Sequence, residues 1–88
     1  LGPVSTAACL HLCLSSSLVG VQELPRVPGT TLTDVFPKQV PYEKGHLLVP
    51  EGPGLGIEFD ESVFEGMDAY EATRGSYFLR DDGSITNW

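Results

Sequence analysis

Five prolines fall between residues 24 and 52: Pro25, Pro28, Pro37, Pro41 and Pro50. Each removes a backbone donor and fixes φ, so neither a long helix nor an inner strand can run through them. Seven Pro and ten Gly in 88 residues leave room for only a few regular elements. A structureless run of this length is unusual inside a small compact domain. It makes more sense as a segment crossing the surface of another domain. Its anchors would be Phe36, Val40, Tyr42, Leu47, Leu48 and Val49, with a short strand at 46–49 on which His46 faces solvent.

The residues before this run are different in kind. Pro3 suits the first position of a helix, and Ser5 or Thr6 can serve its first exposed N–H groups. The pattern predicts a helix over 5–16, with Ala7, Leu10 and Leu14 in one row and Ala8 and Leu12 in the next. Ala at its start permits close approach of a neighbour. Ser15, Ser16 and Ser17 end it, and Leu18 to Val21 then read as a buried strand that stops at Gln22 and Glu23. A buried strand ending in an acid is the layout of an α/β-barrel active site, where catalytic groups sit at strand ends. The other reading has Glu23 simply facing water. His11 reads as a rim residue, since no second ligand has helical spacing to it.

Cys9 and Cys13 are the only cysteines. On a helix their Cβ atoms stand about 5–6 Å apart, farther than the ~3.8 Å a disulfide needs. They read as reduced thiols of a cytoplasmic protein, and a CxxxC zinc half-site finds no second half. Residues 1–21 lack the basic region of a signal peptide, and Pro3, His11 and the Ser triplet interrupt them, so they do not read as a spanning helix. The formal net charge is −7, and the five basic residues are scattered. That excludes a phosphate-neutralising stripe, hence nucleic acid and an acidic membrane surface as partners.

Farther along, Gly52-Pro53-Gly54-Leu55-Gly56 reads as a tight turn into a strand at 57–60. A phosphate loop would open a helix, and strand residues follow here instead. Asp60 is placed to cap a short helix from Glu61, with Val63, Phe64 and Met67 as its inner face and Gly66 weakening its middle. Residues 76–80 and 84–88 read as a terminal hairpin about Asp81-Asp82-Gly83, with Asp-Gly as a strong two-residue turn signal. Asp81-Asp82 lacks the regularly spaced acceptors and closing Glu of a calcium loop.

Taken in order, these motifs resemble one family. Leu1-Gly2-Pro3 with Ala7-Ala8-Cys9-Leu10, then Gln22-Glu23, then Pro53-Gly54-Leu55-Gly56-Ile57 with Asp60-Glu61, then Asp82-Gly83-Ser84 and Trp88, look like the C-terminal end of the mandelate racemase/muconate lactonizing enzyme family. That family belongs to the enolase superfamily, and the nearest look-alikes are its galactonate- and mannonate-type sugar-acid dehydratases. The resemblance implies an α/β fold. Residues 1–23 would be the last helix and last strand of a modified (β/α) barrel. Residues 24–88 would be a tail that returns to an α+β capping domain, with its hairpin near 76–88.

The resemblance also implies chemistry for an intact parent. A proton α to a carboxylate is abstracted, an enediolate forms on Mg²⁺, and in dehydratases the β-hydroxyl departs. Glu23 matches the family's acid at the end of the last strand, where it contacts the substrate carboxylate and helps stabilise the enediolate. Trp88 would close the same mouth as a substrate-binding residue, or else pack in a core. The family's metal ligands and bases lie on earlier strands, upstream of Leu1. Leu24-Pro25 stands where mannonate-type members often carry an aromatic residue. The parent is therefore expected to be a homo-oligomeric, Mg²⁺-dependent enzyme acting on a small acid sugar by dehydration or racemisation. The 88 residues alone are expected to be inactive and to hold no metal. A non-catalytic protein-binding module and a degenerate remnant are the alternatives from other classes.

Overall fold

The computed structural model describes residues 2–66 and 78–86. Helix α1 spans Pro3–Leu14. Pro3 occupies its first turn, and Gly2 before it is extended, with no side-chain cap. The Thr6 amide and hydroxyl both donate to the Gly2 carbonyl, at 3.0 and 3.3 Å. Serines close the other end. Ser15 Oγ donates to the Leu12 carbonyl at 2.6 Å and Ser16 N–H to the Cys13 carbonyl at 3.1 Å, so carbonyls orphaned by the last turn are used. The helix thus starts and ends two residues earlier than the sequence pattern predicts.

Only part of the expected apolar row is buried. Ala7 (0% exposed) and Leu10 (6%) meet Val40 (4%) from the tail, and Leu47, Leu55 and Ile57 pack around them. Leu14, in the same row, remains half exposed, and Leu12 is mostly exposed. Burying Leu10 contributes about 1.5–3 kcal/mol. His11 sits at the rim of this contact, as expected, and its Nε2–H donates to the Leu55 carbonyl at 3.3 Å.

The proline-rich run is ordered by local bonds. Strands β1 (Tyr42–Glu43) and β2 (His46–Leu47) form an antiparallel hairpin in the register Tyr42↔Leu47 and Glu43↔His46. Lys44 and Gly45 both have positive φ, 47° and 83°, as a type I′ turn requires. His46 is exposed on β2, as expected, and its Nδ1–H donates to the Lys44 carbonyl at 3.0 Å. Of the predicted tail anchors, Phe36 and Val40 are buried and Leu47 is half-buried, whereas Tyr42, Leu48 and Val49 stay exposed. Gln39 ties the loop before the hairpin. Its Oε1 accepts from Gly29 N–H at 2.9 Å, and its Nε2 donates to the carbonyls of Thr31 (2.8 Å) and Phe36 (3.3 Å).

Residues 52–56 make the expected turn, with Gly56 N–H donating to the Pro53 carbonyl at 3.1 Å. The strand predicted at 57–60 is reduced to a single antiparallel bridge, Lys38↔Glu58. Asp60 caps a 3-10 turn at Glu61–Phe64, where its Oδ1 accepts from Ser62 N–H (3.0 Å) and Oγ–H (2.6 Å). Phe59 stands between Phe36 and Phe64, with ring centroids 5.3 and 5.5 Å away. Phe64 is nonetheless half exposed and Val63 half-buried, so the predicted inner face is only partly covered. Met67 lies outside the described residues.

The terminal hairpin pairs β3 (Phe78–Leu79) with β4 (Ile85–Thr86). Its loop occupies Asp81, Asp82 and Gly83, the residues expected between the strands. Gly83 N–H donates to the Arg80 carbonyl (2.8 Å), Arg80 N–H donates to the Ser84 carbonyl (2.9 Å), and Gly83 has φ 80°. This is a three-residue loop, a turn centred on Asp81 and Asp82 followed by a left-handed glycine. Asp82 Oδ1 secures it by accepting from Ser84 N–H at 2.9 Å.

The segment read as the last barrel strand does not pair within the described part of this chain. Residues 18–23 have no ladder partner among the described residues, and Leu18 (93%) and Val21 (91%) are exposed. A strand is defined by hydrogen bonds to a neighbour, and nothing described here supplies one. The described residues hold one helix and two two-stranded sheets, and no closed barrel.

Two outcomes are expected. A Cβ on Gly56 would lie 2.5 Å from Pro50 Cβ at φ +70°, whereas a Cβ on Gly54, at φ +61°, meets nothing. Gly56→Ala should therefore lower the denaturation midpoint more than Gly54→Ala, by at least ~1 kcal/mol; equal effects would show that the Pro50 contact is relaxed in solution. Hydrogen bonds from Ser62 hold the Asp60 carboxyl below the usual carboxylate range. A depressed folded pKa stabilises above the unfolded value and loses that stability as pH falls through the folded one. Amide exchange at Ser62 should accordingly accelerate, beyond its intrinsic pH dependence, on acidification below about pH 4. Asp60→Ala should remove that pH response.

Candidate functional site

Glu23 follows α1 by nine residues, on the extended segment that leads into the proline-rich run. The burial pattern alternates there. Gln22 and Leu24 are half-buried while Glu23 between them is exposed, as extended backbone dictates. Gln22 and Leu24 line an open cleft of about 490 Å³ shared with Cys13, Val19, Val21 and His46, and Glu23 does not. The carboxylate therefore projects away from α1. Gln22 Nε2 donates to the Thr6 carbonyl on α1 at 3.2 Å. Its Oε1 is buried and finds no hydrogen-bond partner among the described residues.

A second cleft, about 410 Å³, lies at the other end of α1 between Pro3, Thr6, Arg26, Pro28, Leu32 and Gln39. Pro25 lines it too; Pro25 and Arg26 stand two and three residues past Glu23, and Arg26 is exposed. Cys9 is exposed, Cys13 half-buried, and both are free thiols. Trp88, the other predicted site residue, lies outside the described residues.

Magnesium asks for near-octahedral oxygen donors, with one or more carboxylates converging. Among the described residues no three His, Cys, Asp or Glu side chains come together. Asp60 and Asp82 spend an oxygen each on local Ser62 and Ser84 donors. The described residues thus do not fit a magnesium site of their own. No helix among them is long and apolar enough to cross a membrane.

The sequence pattern of one family, described as "Enolase C-terminal domain-like", matches residues 1–63. The chain belongs to that family. Curated relatives extend the likeness over the whole chain. A D-mannonate dehydratase of Caulobacter sp. (strain K31) is 39% identical over 89 residues, covering 100% of this chain and 21% of the relative. A D-galactonate dehydratase family member of Chromohalobacter salexigens is 34% identical over the same shares. A D-galactonate dehydratase of Ralstonia nicotianae is 32% identical over 95 residues, all of this chain and 25% of the relative. The chain spans between a fifth and a quarter of the length of these enolase-superfamily proteins. No solved structure matches it.

The family match covers α1, the Glu23 segment, the β1/β2 hairpin and the glycine turn, so it embraces Glu23 and Gln22 but not Trp88. Sequence reasoning singled out Glu23 as the candidate acid and gave Gln22 no role as a structural tie. A glutamine next to the acid on an alternating segment was the available signal.

The exposed apolar residues beside Glu23 have a measurable consequence. Leu18 and Val21 face solvent, whereas Leu10 is buried. Replacing both Leu18 and Val21 by Thr should lower light scattering of the free chain several-fold at equal concentration, by removing a contiguous apolar edge. Unchanged scattering would place the sticky surface elsewhere.

Proposed function

We propose that this chain is the C-terminal piece of a Mg²⁺-dependent enolase-superfamily enzyme, a dehydratase of acid sugars. In that reading residues 1–23 supply the last helix and strand of the barrel, and residues 24–88 return to the capping domain. The substrate is a small acid sugar, the parent is a cytoplasmic homo-oligomer, and the 88 residues by themselves do not catalyse. The observation that carries the reading is similarity along the whole of this chain to the corresponding fifth to quarter of proteins named as mannonate and galactonate dehydratases. It is supported by an exposed carboxylate, Glu23, on the extended segment directly after α1.

The roles follow from chemistry. Abstraction of a proton α to a carboxylate concentrates negative charge on that carboxylate's oxygens. A carboxyl group that shares a proton with them stabilises the enediolate more than the ground state. Glu23 is assigned that contact. Magnesium, held by residues outside this chain, supplies charge stabilisation when bound. Trp88 is assigned to the rim of the substrate mouth.

The test is Glu23→Gln in the full-length parent. Size and hydrogen bonding are retained while the exchangeable acid proton is lost. The kcat on an acid sugar should fall about 10²–10³-fold with KM nearly unchanged, because the contact is made mainly in the transition state. Unchanged turnover would make Glu23 a surface acid. Screening the parent with Mg²⁺ against mannonate, galactonate and related acids identifies the substrate.

A further inference from the structure

We propose that Arg26 is a specificity residue of the same site, holding the hydroxyl-bearing far end of the acid sugar; the inference rests on the dehydratase reading and on the place given to Glu23 within it. The direction of the chain puts Arg26 there. Gln22 Nε2 meets the Thr6 carbonyl near the start of α1, while Val19 and Leu14, near its end, line one cleft. The segment after α1 therefore runs antiparallel to it, as helix and strand do in a (β/α) barrel. In that fold the carboxyl ends of the strands open on the active-site face. The first turns of α1 and the residues after Glu23 lie at that same face, with the cleft of about 410 Å³ between them. Its walls, Pro3 and Thr6 of α1 with Pro25, Arg26, Pro28 and Gln39 of the tail, all belong to this chain and accompany it into the parent.

The reach is short and the support is local. Three residues of extended chain span at most ~10–11 Å, so the backbone of Arg26 stands no farther than that from Glu23. The long guanidinium side chain narrows the gap, and an extended six-carbon acid bridges the rest. Pro25 and Pro28 fix φ on either side of Arg26. Gln39 closes the loop beyond them through Gly29, Thr31 and Phe36, contacts that need nothing outside the chain.

Chemistry then selects the ligand. A guanidinium only donates, through five N–H groups in a planar fork, and two neighbouring hydroxyl oxygens offer matching acceptors. The carboxylate end of the substrate is assigned to Glu23. The hydroxyls beyond the β-carbon, which the reaction leaves unchanged, are what remains for Arg26. Contacts to a part that does not react hold ground state and transition state alike, so they act on KM rather than kcat.

The experiment uses the full-length parent, its six-carbon acid-sugar substrate, and glycerate as a competitive inhibitor. Glycerate keeps the carboxylate, α-carbon and β-hydroxyl and lacks the far end. Arg26→Met keeps an apolar stem and removes the donors. KM for the six-carbon acid should rise about tenfold with kcat within about twofold, and the inhibition constant of glycerate should not change. Arg26→Lys, with the charge but not the fork, should recover only part of the affinity. An unchanged KM in Arg26→Met, with or without a lower Tm, would make Arg26 a packing residue and overturn the inference. Glycerate binding weakened as much as substrate binding would overturn it too. Either result in an active parent leaves the assignment of Glu23 standing, whereas a parent that dehydrates no acid sugar overturns both.

Discussion

Ala7 is the constraint on which the rest of the described structure depends. Its side chain ends at Cβ, it is wholly buried, and Val40 of the tail packs into the same cluster. A longer side chain there would force the tail away from α1, and overpacking of this kind costs typically ~1–3 kcal/mol. Everything beyond depends on that approach. Leu55 and Ile57 reach the cluster because the turn at 52–56 folds back, and His11 can meet the Leu55 carbonyl for the same reason. Gly56 allows the fold-back by bringing its backbone against Pro50.

A chain with so many prolines cannot satisfy its backbone chiefly through ladders. Every backbone N–H and C=O still needs a partner or water. Polar side chains take over much of that role here: Asp60 and Asp82 accept from serine amides two residues ahead, and Gln39 and Gln22 bridge segments farther apart. The candidate site inherits this logic. Glu23 is displayed on a segment that is held by one amide rather than by a sheet.

What was legible in the sequence was local. Pro3 and the alanines marked α1, Asp60 marked its 3-10 turn, and the glycines around Leu55 marked a bend. Each depends on residues a few positions apart. The β1/β2 hairpin was missed because Lys44, not Asn or Asp, adopts the first left-handed position of its turn. The terminal loop at Asp81, Asp82 and Gly83 was legible, since a glycine after two aspartates suits the left-handed end of a three-residue loop. The segment at 18–21 is a different case. Hydrophobicity says that a segment wants burial, but pairing needs a second strand, and periodicity carries no information about where that strand comes from. Glu23 was legible as an acid after an apolar run; the bond from Gln22 to the Thr6 carbonyl, across 16 residues, was not.

The three bonds of Gln39 bear on the order in which the tail assembles. They reach back only to residues 29, 31 and 36, at separations of ten, eight and three. Closing a loop of about ten residues takes on the order of 10–100 ns, far less than docking distant segments. The stretch from Gly29 to Gln39 can therefore close on itself before Val40 finds α1. It then arrives at the helix with much of its loop entropy already spent. A proline-rich tail of this kind docks as a preformed clasp rather than as a loose strap.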